Sequence, residues 1–282
     1  MNMNLLDVNL GGGYVLQYAN RYKYQMMGYL VETPDNKTLM IDSGQPYEED
    51  AMYLYSLLTE RNKKVDTWII THAHDDHFGS LMYLMENLPQ FDIEIGELYF
   101  DFPDTEWLLT VEGGNSYAPC KKFLSLLDKL NIKPKKLTKN TTLKCGELDI
   151  EVLKDCEGCE KYPTVNDTSA VLRLHFPKRD ILFLGDLGAE SGKDFVNTIP
   201  HEKLRCDIVQ MSHHGQNGVT KEFYEIVKPK ICLYCAPDWL WENVGPEGKG
   251  TGPFKTLITR EWMEELGAVL SCPHAYGDFK LF

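Results

Sequence analysis

The sequence lacks any long uninterrupted apolar run. Although 43% of its 282 residues are hydrophobic, charged residues break every apolar stretch well short of the roughly 18–20 residues that a membrane span needs. The amino-terminal stretch has no basic segment followed by an apolar run and a small-residue cleavage site, so no signal peptide is expected. Low-complexity linkers and sustained repeats are also absent. We therefore expect a cytoplasmic protein with no membrane partner, folded as a single domain over residues 1–282.

Positive charge is also scarce. The chain has 29 basic and 42 acidic residues, which gives a formal net charge of −13. Such a surface repels polyanions unless a local patch reverses the sign. Non-specific binding to duplex nucleic acid is therefore not expected, and the charge pattern does not indicate an oligomeric state.

The eight cysteines are scattered and do not form the even framework of a disulfide-stabilised chain. Two Cys-x-x-Cys pairs raise the question of a structural zinc ion. Cys232 and Cys235 lie in the predicted strand KICLYC, where the period of two sends their side chains to opposite faces. Cys156 and Cys159 lie in a turn-like stretch and are interpreted as a chance pair in a loop. A cysteine-ligated zinc site is therefore disfavoured.

Short apolar segments recur in both halves of the chain. They are rich in Val, Ile, Leu, Phe and Tyr and end at turn or polar residues, which is typical of strands. The predicted strands are MMGYLVE, TLMIDSG, VDTWIIT, IGELYF, LDIEVL, SAVLRLHF, ILFLGD, DIVQMS and KICLYC.

Amphipathic stretches alternate with these strands. EEDAMYLYSLLTERNKK places Met52, Tyr55 and Leu58 at helical intervals, and CKKFLSLLDKL repeats the pattern. Further helices are predicted to begin at Gly188, Thr220 and Thr256, with Gly267 ending the last of them. This order predicts an α/β layered architecture with helices covering sheet faces.

Two stretches, residues 101–118 and 237–253, are rich in Gly, Pro, Asp and Trp and lack clear periodicity. Both are predicted to be loops. Long loops beside a site often shape a substrate pocket, but a surface excursion without a role explains the composition equally well. The sequence leaves both possibilities open.

The densest set of chemically active residues follows the predicted strand that ends in WIIT. His72, His74, Asp76 and His77 fall within six positions, where a strand gives way to a helix. Imidazole nitrogens and carboxylate oxygens suit zinc and neighbouring metals. A turn can direct the ligands at alternate positions to one point and the next pair to a second point. The pattern therefore predicts a metal site.

This motif resembles the His-x-His-x-Asp-His signature of the metallo-β-lactamase superfamily. The likeness extends through TLMIDSG, NDTSAVLRL, ILFLGDLG and DIVQMSHHGQNG. The His-His-Gly segment is similar to that of a subgroup containing the C-terminal domains of DNA-uptake competence proteins and the phosphorylcholine esterases of teichoic acid. The resemblance implies a four-layer αβ/βα sandwich with two divalent metal ions at one sheet edge, zinc first among them.

The resemblance also implies roles for individual residues. Asp186, at the end of an apolar strand where it could otherwise cap a helix, would bridge both metals. His213 would be a ligand, and His214 a second ligand or a contact to the substrate's oxyanion. Asp42 would hold the site from behind. The implied metal ligands are His72, His74, Asp76, His77, Asp186 and His213.

The sequence departs from the family where a further histidine is expected between the first motif and the bridging aspartate. Asp167 could complete one metal's ligand set, or its segment could simply start a strand through side-chain turns. Later in the chain, Asp238 and His274 are the candidates for another missing histidine, and the sequence does not choose between them. An incomplete ligand set would fit one tight and one loose metal, or manganese or iron in place of zinc.

Two bound cations would lower the pKa of a bridging water and polarise the scissile group, which supplies a hydroxide nucleophile. Asp76 would combine ligation with orienting that water, and His214 or water would supply the leaving-group proton. The subgroup points to a phosphoester or phosphodiester in a small-molecule or single-stranded substrate, with Trp239 and Trp241 lining the pocket.

Hydrolysis of lactone, thioester or β-lactam bonds is the alternative, since this fold supports many reactions. A di-iron redox role is disfavoured, because that branch carries Glu where His74 stands.

Overall fold

The computed structural model describes residues 8–282. Residues 1–7, which begin the stretch in which no signal peptide is predicted, lie outside the described part. Among residues 8–282, none of the helices has the length and apolar character needed to cross a membrane.

Two seven-stranded mixed sheets form the centre of the fold. The first sheet runs in the order β14 (Phe279–Leu281), β1 (Tyr14–Gln17), β2 (Gly28–Glu32), β3 (Thr38–Asp42), β4 (Lys64–Ile69), β5 (Glu94–Phe100) and β6 (Lys135–Lys136). The second runs in the order β13 (Leu270–Pro273), β12 (Ile231–Tyr234), β11 (Ile208–Gln210), β10 (Asp180–Phe183), β9 (Val171–His175), β8 (Leu148–Lys154) and β7 (Thr141–Cys145). All nine predicted strands are present.

Eight α-helices accompany the sheets in the described residues. Four lie in the first half of the chain: α1 (Glu48–Thr59), α2 (Asp75–Asn87), α3 (Thr105–Leu108) and α4 (Tyr117–Lys129). Four lie in the second half: α5 (Ala189–Val196), α6 (Lys221–Val227), α7 (Asp238–Trp241) and α8 (Thr256–Glu265). The predicted starts at Gly188, Thr220 and Thr256 are confirmed within one residue.

Side-chain alternation along the strands divides the core into layers. In β3, Leu39 and Ile41 enter the cluster shared by both sheets, whereas Met40 points to the opposite face and packs with the α1 residue Leu54. The outer face of the second sheet packs in the same way against α5, α6 and α8. The result is helix, sheet, sheet, helix, which confirms the predicted four-layer αβ/βα sandwich.

The buried face of α1 differs from the prediction. Ala51, Leu54 and Leu58 are buried, but Met52 is 40% exposed and Tyr55 is only partly covered. Two rows of apolar residues run along this helix, and the row that carries the smaller Ala51 packs against the first sheet. The helix was predicted correctly, but of its predicted apolar row only Leu58 is fully buried.

Both predicted loops contain short helical elements. Residues 101–118 hold α3, a 3-10 turn at Glu112–Gly114 and the start of α4. Residues 237–253 hold α7. The loops therefore have defined structure and place individual side chains.

The cysteines are all free thiols. Cys232 and Cys235 lie in apolar clusters on opposite sides of the second sheet, as predicted. Cys156 and Cys159 are both buried. A hydrogen bond from Cys156, followed by the Lys154 ammonium 3.2 Å from the sulfur, outweighs burial and lowers the pKa of Cys159 to about 7.

The strand directions bring distant segments to one edge. β3 and β4 are parallel, as are β10 and β11, so the segments that follow their carboxyl ends meet there. The backbone N–H of Ala170 donates to the Thr71 carbonyl over 2.9 Å and ties the two sheets together at this edge.

Candidate metal centre

Histidine and aspartate side chains from four segments converge at this edge. His72 and His74 follow β4, Asp76 and His77 occupy the first turn of α2, Asp186 follows β10, and His214 follows β11. Their potential ligand atoms form two groups, in each of which all the atoms lie within 4.8 Å of one another. One group is His72, His74 and Asp186, and the other is Asp76, His77, Asp186 and His214.

Inner ring nitrogens and carboxylate oxygens face one another across the centre. His72 Nε2 lies 3.1 Å from His74 Nδ1. His214 Nε2 lies 3.1 Å from Asp76 Oδ2 and 3.3 Å from Asp186 Oδ2. His77 Nε2 lies 3.4 Å from the same Asp186 oxygen. Asp186 is therefore shared by both groups.

The outer ring nitrogen of each histidine in these two groups is held by an oxygen acceptor. The pairs are His72 Nδ1 with Thr71 Oγ1 at 3.2 Å, His74 Nε2 with Glu112 Oε2 at 2.8 Å, His77 Nδ1 with Asp42 Oδ2 at 2.8 Å, and His214 Nδ1 with the Cys235 carbonyl at 3.1 Å. An acceptor at the outer nitrogen keeps the proton there and leaves the inner lone pair free. This arrangement prepares the histidines to ligate a cation.

Asp42 lies behind the site, where the resemblance placed it. It is fully buried and has a positive φ of 58°, which is unusual for a residue other than glycine. Its carboxylate accepts from the Thr71 N–H at 2.8 Å, from the Thr71 hydroxyl and from His77. The same carboxylate thus holds both the end of β4 and a ring of the cluster.

The turn carrying Asp186 requires a glycine before it. Gly185 has φ 53°, and a Cβ at this position would lie 3.1 Å from side-chain atoms of Ser169 and Thr71. The Ser169 hydroxyl accepts from the Asp186 N–H at 3.0 Å. The buried Gln210 amide donates to the Gly185 carbonyl at 2.9 Å. These contacts orient the shared carboxylate.

The His-His-Gly turn is strained. His213, His214 and Gly215 have φ values of 50°, 57° and 79°, three consecutive left-handed residues. Each such non-glycine conformation costs about 1–3 kcal/mol and persists where the surrounding structure enforces it, often at functional sites. Here it turns the His214 ring inward to meet Asp76 and Asp186.

The charges and burial of the cluster suit the binding of cations. Burial lowers the pKa of His72 well below its usual value. Burial also opposes charge on His214, but Asp186 and Asp76 outweigh it and raise its pKa to about 9. His77 Nε2 and Asp186 Oδ1 are buried without a hydrogen-bond partner. Buried carboxylates require compensating positive charge, and divalent cations between these atoms would supply it.

The remaining candidates lie outside the two groups. His213 is at the rim, with Nε2 3.9 Å from Asp186 Oδ2 and 3.4 Å from the Asn166 amide. Asp167 is buried but accepts from the Ser191 and Thr164 hydroxyls, each at 2.6 Å, and so ties its turn to α5. This geometry favours the structural reading of Asp167.

Asp238 and His274 are the last two of the predicted candidates. Asp238 is exposed at the start of α7. His274 is buried, both its ring nitrogens lack partners, and burial followed by His214 and Arg21 lowers its pKa to about 3. Neither residue belongs to the two groups of ligand atoms.

The two tryptophans predicted to line the pocket differ in position. Trp239 is partly exposed and donates through Nε1 to the Lys23 carbonyl at 2.8 Å. Trp241 is only 5% exposed and packs between Tyr234 and the Arg260 guanidinium. Trp241 is therefore a core residue, and the prediction that it lines the pocket was wrong.

Glu112 is the ligand-supporting residue that sequence reasoning missed. It lies on the 3-10 turn within residues 101–118, has φ 51°, and also accepts from the Val165 N–H at 3.3 Å. A single carboxylate followed by Gly113 and Gly114 carries no distinguishing pattern. The single available signal was its position in a loop that had been noted as a candidate for shaping the site.

Two curated proteins are similar to this chain over about two thirds of its length. ComE operon protein 3 of Bacillus subtilis is 23% identical over 193 residues, which is 68% of this chain and 22% of that protein. Ribonuclease J of Helicobacter pylori is 25% identical over 198 residues, 67% of this chain and 24% of that protein. The matches thus span less than a quarter of each curated relative.

Solved structures share the fold at lower identity. The metallo-beta-lactamase fold protein YhfI of Bacillus subtilis has a TM-score of 0.55 and 13% identity, covering 95% of this chain and 99% of that one. CmlA, a diiron beta-hydroxylase from Streptomyces venezuelae, has a TM-score of 0.57 and 14% identity, covering 96% and 54%.

The family model described as the Metallo-beta-lactamase superfamily matches residues 27–235, a span that begins before β2 and ends just after β12. It includes every residue of the two ligand groups. This chain therefore belongs to the metallo-beta-lactamase superfamily.

Proposed function

We propose that the chain is a binuclear metal-dependent phosphodiesterase acting on a small or single-stranded phosphate substrate. The observation that carries the two-metal proposal is Asp186, whose carboxylate is common to both ligand groups and has a buried oxygen without a partner. A shared carboxylate can hold two cations at the roughly 3.5–4 Å separation used by two-metal hydrolases.

The ligand sets differ in composition. His72, His74 and Asp186 would hold one cation, and Asp76, His77, His214 and Asp186 the other. The first set has fewer protein ligands, which fits a more weakly bound metal. Nitrogen and oxygen donors together favour zinc, with manganese or iron as alternatives. Two cations supply Lewis acidity and a water of lowered pKa when they are bound.

The chain's own residues then divide into two roles. Asp42, Thr71, Glu112 and the Cys235 carbonyl orient the ligand rings through the outer nitrogens. His213 and Asn166 stand at the rim, where Asn166 Oδ1 is buried without a partner. Since His214 is fully buried among the carboxylates, we assign to His213 the substrate-facing role that the sequence suggested for His214.

Support for a phosphodiester comes from the relatives. A chain segment of Ribonuclease J, a protein named for cleaving RNA, matches two thirds of this chain, and cleavage of RNA is phosphodiester hydrolysis. The subgroup resemblance of the His-His-Gly segment points the same way. Acyl bonds are the competing class of substrate.

The test uses purified protein loaded with Zn²⁺ or Mn²⁺ and a generic aryl phosphodiester. We expect hydrolysis by the wild type and its loss in His74→Ala. His175→Ala is the matched control, because His175 also pairs with a carboxylate, Asp180 at 3.1 Å, at the opposite end of the second sheet. Equal rates for His74→Ala and wild type, or turnover of lactone, thioester or β-lactam substrates alone, would contradict the proposal.

Metal content provides a readout that does not depend on substrate choice. Elemental analysis should find two metal ions per chain in the wild type and fewer in Asp186→Ala, with no change in His175→Ala. One ion per wild-type chain under saturating metal would refute the binuclear centre.

A further inference from the structure

Three tyrosines form an aromatic cluster at the surface, named here the tyrosine cluster: Tyr22, Tyr24 and Tyr47. The ring centroids of Tyr22 and Tyr47 are 4.2 Å apart, and Tyr24 lies 5.5 Å from each of the other two. Tyr24 is 41% exposed, and the other two are partly exposed. The ring planes are inclined to one another by 31° to 67°, so ring faces and edges together form an aromatic surface that stays partly open to a ligand.

The topology places this cluster on the metal edge of the fold. Residues 18–27 connect β1 to β2, and Gly28 at the start of β2 pairs with Asp42 at the end of β3. Because β3 and β4 are parallel, the same edge carries His72. The Met27 N–H also donates to the Asp76 carbonyl at 3.0 Å. The connecting segment therefore borders the site.

Hydrogen bonds hold that segment in place from three sides. The Gln25 carbonyl accepts from Gln45 at 2.8 Å, and the Gln25 side chain accepts from Gln216, just after the His-His-Gly turn, at 3.3 Å. Trp239 donates to the Lys23 carbonyl at 2.8 Å. The cluster is thus anchored to the loop after β3, to the loop that carries the His-His-Gly turn and to α7, and a stacking surface that is already ordered loses less entropy on binding.

Lys23 influences which ligand the cluster can accept. Its ammonium lies 5.1 Å from the Tyr24 ring centroid and 5.6 Å from that of Tyr22. A cation already engages these rings, so an organic cation would meet like charge. An uncharged aromatic base attached to a phosphate would instead gain stacking from the rings and attraction from the ammonium.

We propose that the tyrosine cluster and Lys23 bind the base and flanking phosphate of a nucleoside-containing phosphodiester whose scissile phosphate lies at the metal centre. The proposal rests on the proposed function and specifies its substrate class. Stacking of a base on an aromatic side chain is worth about 1–3 kcal/mol and tolerates any base. The enzyme would therefore select nucleotides over simple phosphodiesters without selecting a sequence.

The test compares two substrates with the same leaving group, thymidine 5′-(p-nitrophenyl phosphate) and methyl p-nitrophenyl phosphate. In Tyr24→Ala we expect kcat/KM for the thymidine substrate to fall about 5- to 140-fold, the stacking energy converted at 1.4 kcal/mol per tenfold. For the methyl substrate it should stay within about twofold, because no base stacks. Equal losses for both substrates, or no loss for either, would overturn the proposal.

The matched control is Tyr55→Ala. Tyr55 also carries a lysine over its ring, with Lys63 at 4.8 Å, but it lies near the beginning of β4, at the opposite end from His72. This variant should hydrolyse both substrates like the wild type. A selective loss on the thymidine substrate in Tyr55→Ala would show that the effect is not specific to the cluster.

A binding measurement separates this proposal from the proposed function. Fluorescence anisotropy with a labelled short oligothymidylate should show binding to the wild type and to Tyr55→Ala, and about 5- to 140-fold weaker binding to Tyr24→Ala, whether or not hydrolysis occurs. Wild-type binding without turnover would reject the phosphodiesterase and retain the base-binding surface. Displacement of the oligonucleotide by millimolar choline would overturn the assignment, because the cluster would then be a site for quaternary ammonium groups.

Discussion

The substitution Asp42→Asn tests the arrangement of the outer histidine nitrogens most directly. Asn is nearly isosteric with Asp, but one of its two terminal atoms is a donor. If the amide nitrogen faces His77, it meets the Nδ1–H that Asp42 Oδ2 accepts at 2.8 Å. If the side chain is flipped, the amide nitrogen meets the Thr71 N–H instead. In either orientation, two hydrogen-bond donors face each other at a fully buried position.

The first orientation has a chemical consequence. His77 would relieve the clash by moving its proton to Nε2, the inner nitrogen that has no partner in the cluster. That proton occupies the lone pair needed for a cation. Loss of such supporting carboxylates costs about 10- to 100-fold in metal affinity. At 1.4 kcal/mol per tenfold this corresponds to about 1.4–2.8 kcal/mol.

Stability should fall as well. A buried donor left without an acceptor costs about 1–3 kcal/mol. For a domain of this size the melting temperature moves by about 2–4 °C per kcal/mol, so we expect a decrease of about 2–12 °C in metal-free protein. Competition titration with a chromogenic zinc chelator measures the affinity, and calorimetry measures the stability.

Asp66→Asn is the matched control. Its carboxylate accepts from the Thr38 N–H at 3.0 Å near the amino end of β4, where its side chain is partly exposed. Metal affinity should be unchanged in this variant. If Asp42→Asn binds zinc as tightly as the wild type, the tautomer argument is refuted, even if the protein is destabilised.

Three further outcomes are expected. Glu112→Ala should weaken metal binding about 10- to 100-fold. Glu112→Gln can still accept through its amide oxygen, so its metal affinity should fall less than tenfold in the same titration. Identical losses of affinity would show that Glu112 acts by filling space. Cys159 lines a cavity of about 190 Å³, and its pKa is lowered to about 7, so the thiolate forms above about that pH. Its alkylation by iodoacetamide, followed by peptide mass spectrometry, should rise from pH 6 to pH 8. It should also be faster than alkylation of Cys232, because burial raises the pKa of that thiol to about 12. Leu54→Ala should lower the free energy of unfolding by about 2–5 kcal/mol in urea titrations, while Met52→Ala should change it by less than about 0.5 kcal/mol; comparable losses would mean that the inward face of α1 is misassigned.

The central strands were readable from the sequence because both of their faces are covered. Strands such as β2, β3 and β12 are buried along nearly their whole length, so they appear as nearly continuous apolar runs. The strands that were missed are β1, β6, β7, β13 and β14. Four of these form the outer edges of the sheets, where exposed residues such as Lys135 and Lys136 are tolerated and the apolar signal weakens.

The site was only partly readable, for a similar reason. His72, His74, Asp76 and His77 are close together in the chain, and local density alone marks them as candidate ligands. Asp186 and His214 are distant in sequence and were connected to the first motif through resemblance. The order of ligand and rim residue within the His-His-Gly turn depends on backbone dihedrals that composition does not reveal.

The sequence by itself determined the alternation of strands with helices and the dense candidate metal motif at residues 72–77, because local periodicity encodes the first and ligand density marks the second. The tertiary structure alone decided which nitrogen of each ring faces inward, that Glu112 pairs with His74, that Asp167 accepts from Ser191, and that Trp241 is buried in the core. Those assignments depend on contacts between residues far apart in sequence, and such contacts form only when the two sheets pack and bring their carboxyl ends to one edge.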